Sequence, residues 1–159
     1  MITIVDYNAG NLNSVYRAIQ KCGFDATITD DPELISKAKT IVFPGQGAFK
    51  SAKVALEEKG LTAIIKNHIK SEKPFLGICL GLQLLFETSY EHGEETGWGI
   101  FKGDVKPFKP TPLKVPHMGW NTIDIQQDNQ HYFKDAGQDP YLYFVHSYYV
   151  DTPDTDIIS

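Results

Sequence analysis

The fold class this chain predicts is α/β: an open, largely parallel sheet flanked by helices, with antiparallel strands in the second half. Three observations predict it. Through the first half, short β-rich apolar runs alternate with helical patterns across mostly short connections. One of those runs, Phe75 to Ile78, passes without a gap into a helical pattern in which Leu80, Leu84 and Leu85 share a face. Beyond Gly93 the helical periods stop, and glycines, prolines and aromatic runs take over. At 159 residues there is enough chain for one domain with a real core, and 42% hydrophobic and 22% charged residues are ordinary for a globular protein.

Taken in order, Ile2 to Val5 reads as the first strand. Asp6-Tyr7-Asn8-Ala9-Gly10-Asn11 is a turn-rich connection, and Asn11 or Asn13 can cap the helix after it. Leu12, Val15, Ile19 and Cys22 fall on one face of that helix, and Gly23 is a natural stop. Phe24 to Thr29 reads as a second strand. Asp31-Pro32 opens a short helix to about Ala38, with Pro at its first position. Thr40 to Phe43 is a third strand, followed by the loop Pro44-Gly45-Gln46-Gly47-Ala48-Phe49. Helices then run towards Glu58 and over Leu61 to Ser71. Ligands of such sheets bind at the carboxyl ends of strands, so the turn after Asp6, the PGQG loop and the stretch after Ile78 are expected on one rim.

In the second half, short strands are expected at Asp104 to Pro107 and Leu113 to Val115. Pro116 to Asn121 reads as a lead into an alternating strand, Thr122 to Ile125, and Gln126 to Pro140 as a polar loop. Tyr141 to Val150 reads as strand, interrupted at His146-Ser147. Asp156-Ile157-Ile158-Ser159 reads as the start of a further apolar element. Residues 1–159 are therefore expected to form one domain lacking its C-terminal end.

Bulk properties narrow the function classes. A net charge of −5 argues against nucleic acid or an anionic membrane as the main partner. No apolar run approaches membrane-spanning length, and the N-terminus lacks the pattern of a signal peptide. Cys22 and Cys79 form no disulfide framework, which fits a reducing, cytoplasmic compartment. No pair of histidines has metal-ligand spacing, and no metal or cofactor is expected.

Cys79 stands two positions after Gly77 and two before Gly81, the layout of a nucleophile elbow with Cys in place of Ser. Flanking glycines let the backbone turn tightly, the sulfur is held at a helix start, and the Leu80 N–H points at any oxyanion formed there. The plainer alternative is a small buried core cysteine. For the base, His68 reads as solvated on its helix, and His92 and His131 as surface residues. His117 and His146 lie beside strands and aromatics, where the simpler reading is a hydrogen-bonded structural histidine.

Gly77-Ile78-Cys79-Leu80-Gly81-Leu82-Gln83 resembles the elbow of the class I (triad) glutamine amidotransferases, whose core is flavodoxin-like. Four further segments, residues 6–12, 44–49, 116–121 and 143–148, are similar to the amidotransferase subunits of imidazole glycerol phosphate synthase. The resemblance spans essentially the whole chain, and it implies glutamine as substrate. It makes Cys79 the nucleophile that releases ammonia and leaves a glutamyl thioester, and assigns Gly47 and Leu80 to the oxyanion hole. It gives Gln83, Glu91, His146, Ser147 and Tyr148 to glutamine binding, and Asn11, Trp120 and Tyr143 to a partner interface. The implied partner is a cyclase subunit with a (β/α)₈ barrel, forming a heterodimer that makes imidazole glycerol phosphate and AICAR in histidine biosynthesis. The family's base and its orienting acid lie in a His-Pro-Glu segment that does not occur in these residues, so the chain is expected to be inactive by itself. An amidotransferase of another synthase, a non-catalytic partner-binding module and a flavodoxin-like cofactor binder remain as alternatives.

Overall fold

The computed structural model describes residues 1–110, 112–125, 133, 135–137 and 139–153. Its centre is a four-stranded parallel sheet in the order β2-β1-β3-β4, made from β1 (Ile2–Val5), β2 (Ala26–Thr29), β3 (Ile41–Gly45) and β4 (Phe75–Cys79). Between them run α1 (Leu12–Lys21), α2 (Pro32–Ser36), α3 (Phe49–Glu58) and α4 (Leu61–Lys70). Val5, Ile41 and Phe43 join Ile35, Leu56, Leu61 and Ile65 from α2, α3 and α4 in one core. That core explains the strand–helix alternation, because parallel strands need crossovers whose helices cover them.

Local chemistry sets several ends. Asn11 caps α1, its side chain accepting the Ser14 N–H at 3.2 Å, and Asp31 caps α2 through the Glu33 N–H at 2.8 Å. After α1, Gly23 takes φ +83°, and the N–H groups of Gly23 and Phe24 close on the carbonyls of Gln20 and Ile19. Phe24 is thereby committed to the helix cap. It is exposed, and β2 begins at Ala26, two residues later than its sequence suggests.

Other expectations need correction. Cys22 is exposed, because as the cap residue of α1 it lies past the half-buried stripe of Leu12, Val15 and Ile19. His68 is buried, not solvated, and its Nε2–H donates to the Pro74 carbonyl at 3.1 Å. The helix after the elbow, α5 (Leu80–Gln83), is a single turn. Leu80, Leu84 and Leu85 are all buried, but the carbonyls of Leu84 and Leu85 accept N–H groups from Trp98, Ile100 and Phe101, which ends the helix.

The second half forms two further sheets. One has the order β10-β7-β5-β6, from β5 (Thr88–Ser89), β6 (Glu95–Thr96), β7 (Asp104–Pro107) and β10 (Tyr148–Asp151). The other is a hairpin of β8 (His117–Thr122) and β9 (Tyr141–His146). Residues 113–115 are not a strand: Pro110, Pro112 and Pro116 remove ladder donors around them. The strand expected at Thr122 to Ile125 lies earlier, at His117–Thr122. His131, most of the loop from Gln126 to Pro140 and the stretch from Asp156 lie outside the described residues. Trp98, in a stretch whose glycines and prolines suggest only loop, is a core residue stacked on Phe43 with centroids 5.5 Å apart.

Candidate active site

Three strand ends meet on one rim. Gly45, the last residue of β3, pairs across the sheet with Cys79, the last residue of β4. The loop after β1 closes the third side: a Cβ on Gly10 would rest 3.6 Å from Gly45 Cα. At the elbow itself, a Cβ on Gly77 would come 2.8 Å from the Gly81 carbonyl oxygen, and one on Gly81 would overlap the carbonyl oxygen of Phe43. These contacts are why both flanks of Cys79 are glycine.

Cys79 adopts φ 55° and ψ −114°, a left-handed conformation uncommon for a residue with a side chain. The strain turns the sulfur out of the sheet, and Cys79 is exposed. That overturns the plainer alternative of a buried core cysteine. With α5 only one turn long, the accumulated helix dipole behind Cys79 is small. The Leu80 N–H, first in that turn, has no carbonyl within the helix to meet.

The cavity in front of Cys79 has a volume of about 510 Å³ and is bounded by Gln46, Gly47, Leu80, Gln83, Glu91, His92, Pro116, Val145, His146, Ser147 and Tyr148. Residues from the loop after β3, the elbow, the β5–β6 turn and the β9–β10 junction thus converge on one space. Gly47 holds φ +93°, which a glycine adopts freely. Glu91 has a second task that its sequence position hides. Ala48 starts α3 without a side-chain cap, and Glu91 Oε2 accepts the Phe49 N–H at 2.6 Å from 42 residues away.

The junction His146-Ser147-Tyr148 is braced internally. The Ser147 carbonyl accepts the Phe108 N–H at 3.1 Å, and the Tyr148 carbonyl lies 3.0 Å from His146 Nδ1. His146 Nε2 lies 2.9 Å from His117 Nδ1, and His117 Nε2 lies 3.4 Å from the Asn121 side-chain nitrogen. The two histidines are therefore hydrogen-bonded structural residues, and all four ring nitrogens are engaged. Among the described residues that line the cavity, His92 is the histidine whose ring no hydrogen bond orients, and it is exposed.

Beneath the rim lies Tyr7, fully buried against Phe43, with its hydroxyl unpaired among the described residues. A Cβ on Gly45 would overlap that oxygen. Burial first, and the charge of the nearby Cys79 second, push the Tyr7 phenol far above its ordinary range.

The residues expected at a partner surface fall in two places. Trp120 and Tyr143 face each other across β8 and β9, 70% and 57% exposed, with ring centroids 5.6 Å apart. Met118 and Val145 extend the same exposed face, and Val145 also borders the cavity. Asn11 is not part of this hairpin and its side chain is occupied as the α1 cap.

Comparison with known proteins gives the chain its family. The family described as glutamine amidotransferase class-I matches residues 3–159. Over 155 residues the chain is 48% identical to the imidazole glycerol phosphate synthase subunit HisH of Nostoc punctiforme, covering 97% of this chain and 73% of the relative. The subunit of the same name from Rhodopirellula baltica is 46% identical over 166 residues, covering 100% and 77%. That from Aquifex aeolicus is 44% identical over 156 residues, covering 98% and 74%. A solved structure titled as a crystal structure of glutamine amidotransferase superposes with a TM-score of 0.69 over 91% of this chain and 71% of that one. At 14% identity, that likeness is one of fold.

Proposed function

The chain belongs to the class-I glutamine amidotransferase family, and from that premise we propose that it is the glutaminase subunit of an imidazole glycerol phosphate synthase, serving histidine biosynthesis. The observation that carries the reading is the exposed, strained Cys79 opening on a cavity bounded by Gln83, Glu91 and the His146–Tyr148 junction. The Cys79 thiolate attacks the side-chain amide carbon of glutamine, forming a C–S bond and an oxyanion. The Leu80 N–H and the Gly47 loop stabilise that oxyanion by donating to it. Collapse of the adduct breaks the C–N bond. The nitrogen takes up a proton and leaves as ammonia, and water then releases glutamate from the thioester. Glu91 Oε1, left over from the cap to Phe49, suits the α-ammonium of the substrate. The ammonia passes to a barrel-shaped cyclase that docks on the Trp120–Tyr143 face, giving a heterodimer.

Proton transfer is the demanding step. His117 and His146 have their ring nitrogens committed, and no hydrogen bond orients His92. The 159 residues contain no His-Pro-Glu. The 159 residues by themselves are therefore expected to alkylate at Cys79 without measurable glutaminase activity, since the leaving amine must be protonated and loss of the base in a triad hydrolase lowers turnover by roughly a million-fold. A single-turnover assay with labelled glutamine tests this. The expected result is no label from glutamine and no ammonia release although a small electrophile alkylates Cys79, and turnover regained when a segment carrying His-Pro-Glu is added in the presence of the cyclase. Steady, partner-dependent ammonia release by the chain as it stands, lost in His92→Asn, would make His92 the base and overturn the inactive reading. No turnover after that segment and the cyclase are both supplied would overturn the glutaminase reading itself.

A further inference from the structure

The histidine pair at the mouth of the cavity has a proton arrangement that can be deduced atom by atom. A carbonyl oxygen only accepts, so His146 Nδ1, 3.0 Å from the Tyr148 carbonyl, must carry a hydrogen. With the ring neutral, His146 Nε2 is then a lone pair, and His117 Nδ1, 2.9 Å away, must donate to it. That leaves His117 Nε2 as an acceptor, and the nitrogen facing it at 3.4 Å is the amide of Asn121. The Asn121 oxygen is independently assigned by the Thr122 N–H, which donates to it at 2.9 Å. Four groups from β8, β9 and β10 thus form one directed chain: Asn121 to His117 to His146 to the Tyr148 carbonyl.

Packing fixes the rings as well as the protons. His117 stacks on Phe144 with centroids 4.9 Å apart, and Phe108 meets His146 edge-on at 5.0 Å. His117 and His146 are also cross-strand partners at the end of the β8–β9 hairpin. His146 borders the Cys79 cavity, whereas His117 borders a separate, mainly apolar hollow beside Phe108 and Tyr149. The link therefore passes from outside the cavity to its wall.

We propose that His117 is a positioning residue for glutamine binding: its Nδ1–H holds His146 as the Nδ1–H tautomer and thereby sets the wall that the His146-Ser147-Tyr148 junction presents to the substrate. The inference rests on the glutaminase reading for its substrate, but the tautomer chain does not. A neutral His146 whose Nε2 is occupied cannot compete for the Cys79 proton, and its ring cannot rotate into the cavity.

The test has two arms. In two-bond ¹⁵N–¹H correlation spectra of the unaltered protein, both His117 and His146 are expected as Nδ1–H tautomers. An Nε2–H tautomer at His146 would overturn the proposal without any variant being made. In the second arm Cys79 is alkylated by iodoacetamide and, separately, by a chloromethyl ketone analogue of glutamine. His117→Phe keeps a stacked ring and removes the donor, and is expected to weaken saturable binding of the ketone about tenfold, the loss of one hydrogen bond. His117→Asn restores an N–H near the Nδ1 position and should recover most of that loss. The iodoacetamide rate should be unchanged in both variants. Equal ketone binding in the unaltered protein and His117→Phe, or loss of the iodoacetamide rate in step with it, overturns the positioning role. If the unaltered protein shows no saturable ketone binding, the glutaminase reading fails, and the positioning role fails with it. The spectra then still decide the tautomer chain.

Discussion

One tryptophan packs on the parallel sheet and another stands on the β8–β9 hairpin, and the two are used in opposite ways. Trp98 is 7% exposed and stacked on Phe43 at the centre of the core. Trp120 is 70% exposed, against Tyr143, on a face that nothing in the described chain covers. The sheet is held by apolar burial, with Val5, Ile41 and Phe43 fully enclosed. The hairpin has no buried apolar residue and is held by its ladder, by aromatic pairs and by the histidine chain. Burial therefore marks the region that makes the protein fold. Exposure of large aromatic residues on regular structure marks the region where it is expected to meet another molecule.

The sharpest way to break the comparison is to remove each tryptophan. Trp98→Ala is expected to lower unfolding free energy by about 3–5 kcal/mol, the cost of emptying a large core site. Urea denaturation checks it, and a change of a few tenths would show that Trp98 is dispensable to the core. Trp120→Ala should do the reverse, leaving the denaturation midpoint unchanged while weakening cyclase binding by about 2 kcal/mol or more in calorimetry. Lost stability with unchanged binding would return Trp120 to a structural role.

Tyr7 sharpens the comparison inside the core. Its ring packs on Phe43, but its buried hydroxyl has no partner among the described residues. Tyr7→Phe should keep the ring packing and gain up to about 1 kcal/mol of stability, since an unpaired polar atom is relieved of its desolvation cost. A marked loss of stability in urea would mean that the hydroxyl bonds to something.

The smallest effect is electrostatic and lies at the edge of the second sheet. Lys106 hydrogen-bonds Asp151 at 2.8 Å across β7 and β10, and holds its carboxyl below the usual range. A carboxyl depressed in the folded state stabilises it at pH values above the unfolded pKa. That contribution is lost as pH falls below the ordinary carboxylate range and through the lowered folded pKa. Asp151→Asn should therefore slightly flatten the acid side of a stability–pH curve and leave the alkaline side alone. The two side chains are 39% and 52% exposed, so a large effect at pH 7 would contradict their surface character.

How much was legible in the chain follows the same division. The strands of the parallel sheet, the caps at Asn11 and Asp31 and the glycines around Cys79 are local signals: periodicity, capping chemistry and turn geometry act over a few residues. The start of the hairpin is hidden in the sequence because Gly119 and Pro116 look like a turn, whereas pairing with Tyr141–His146 makes the stretch from His117 a strand. The burial of His68 and of Trp98 is hidden in the sequence for a related reason. A histidine on an amphipathic helix and a tryptophan among glycines carry no local mark of burial, and only the packing of Phe75 and Phe43 against them encloses each ring.

The sequence by itself determined the strand–helix order, the glycine-flanked turn at Cys79 and the likeness to a family, because each rests on neighbours a few positions apart. Tertiary structure alone decided that Glu91 caps a helix 42 residues away. It also decided that His117 and His146 occupy one another's nitrogens, and that Tyr7 lies buried beneath Cys79. Those facts depend on which distant groups come within about 3 Å, a distance at which hydrogen-bond partners are chosen by the fold and not by spacing along the chain.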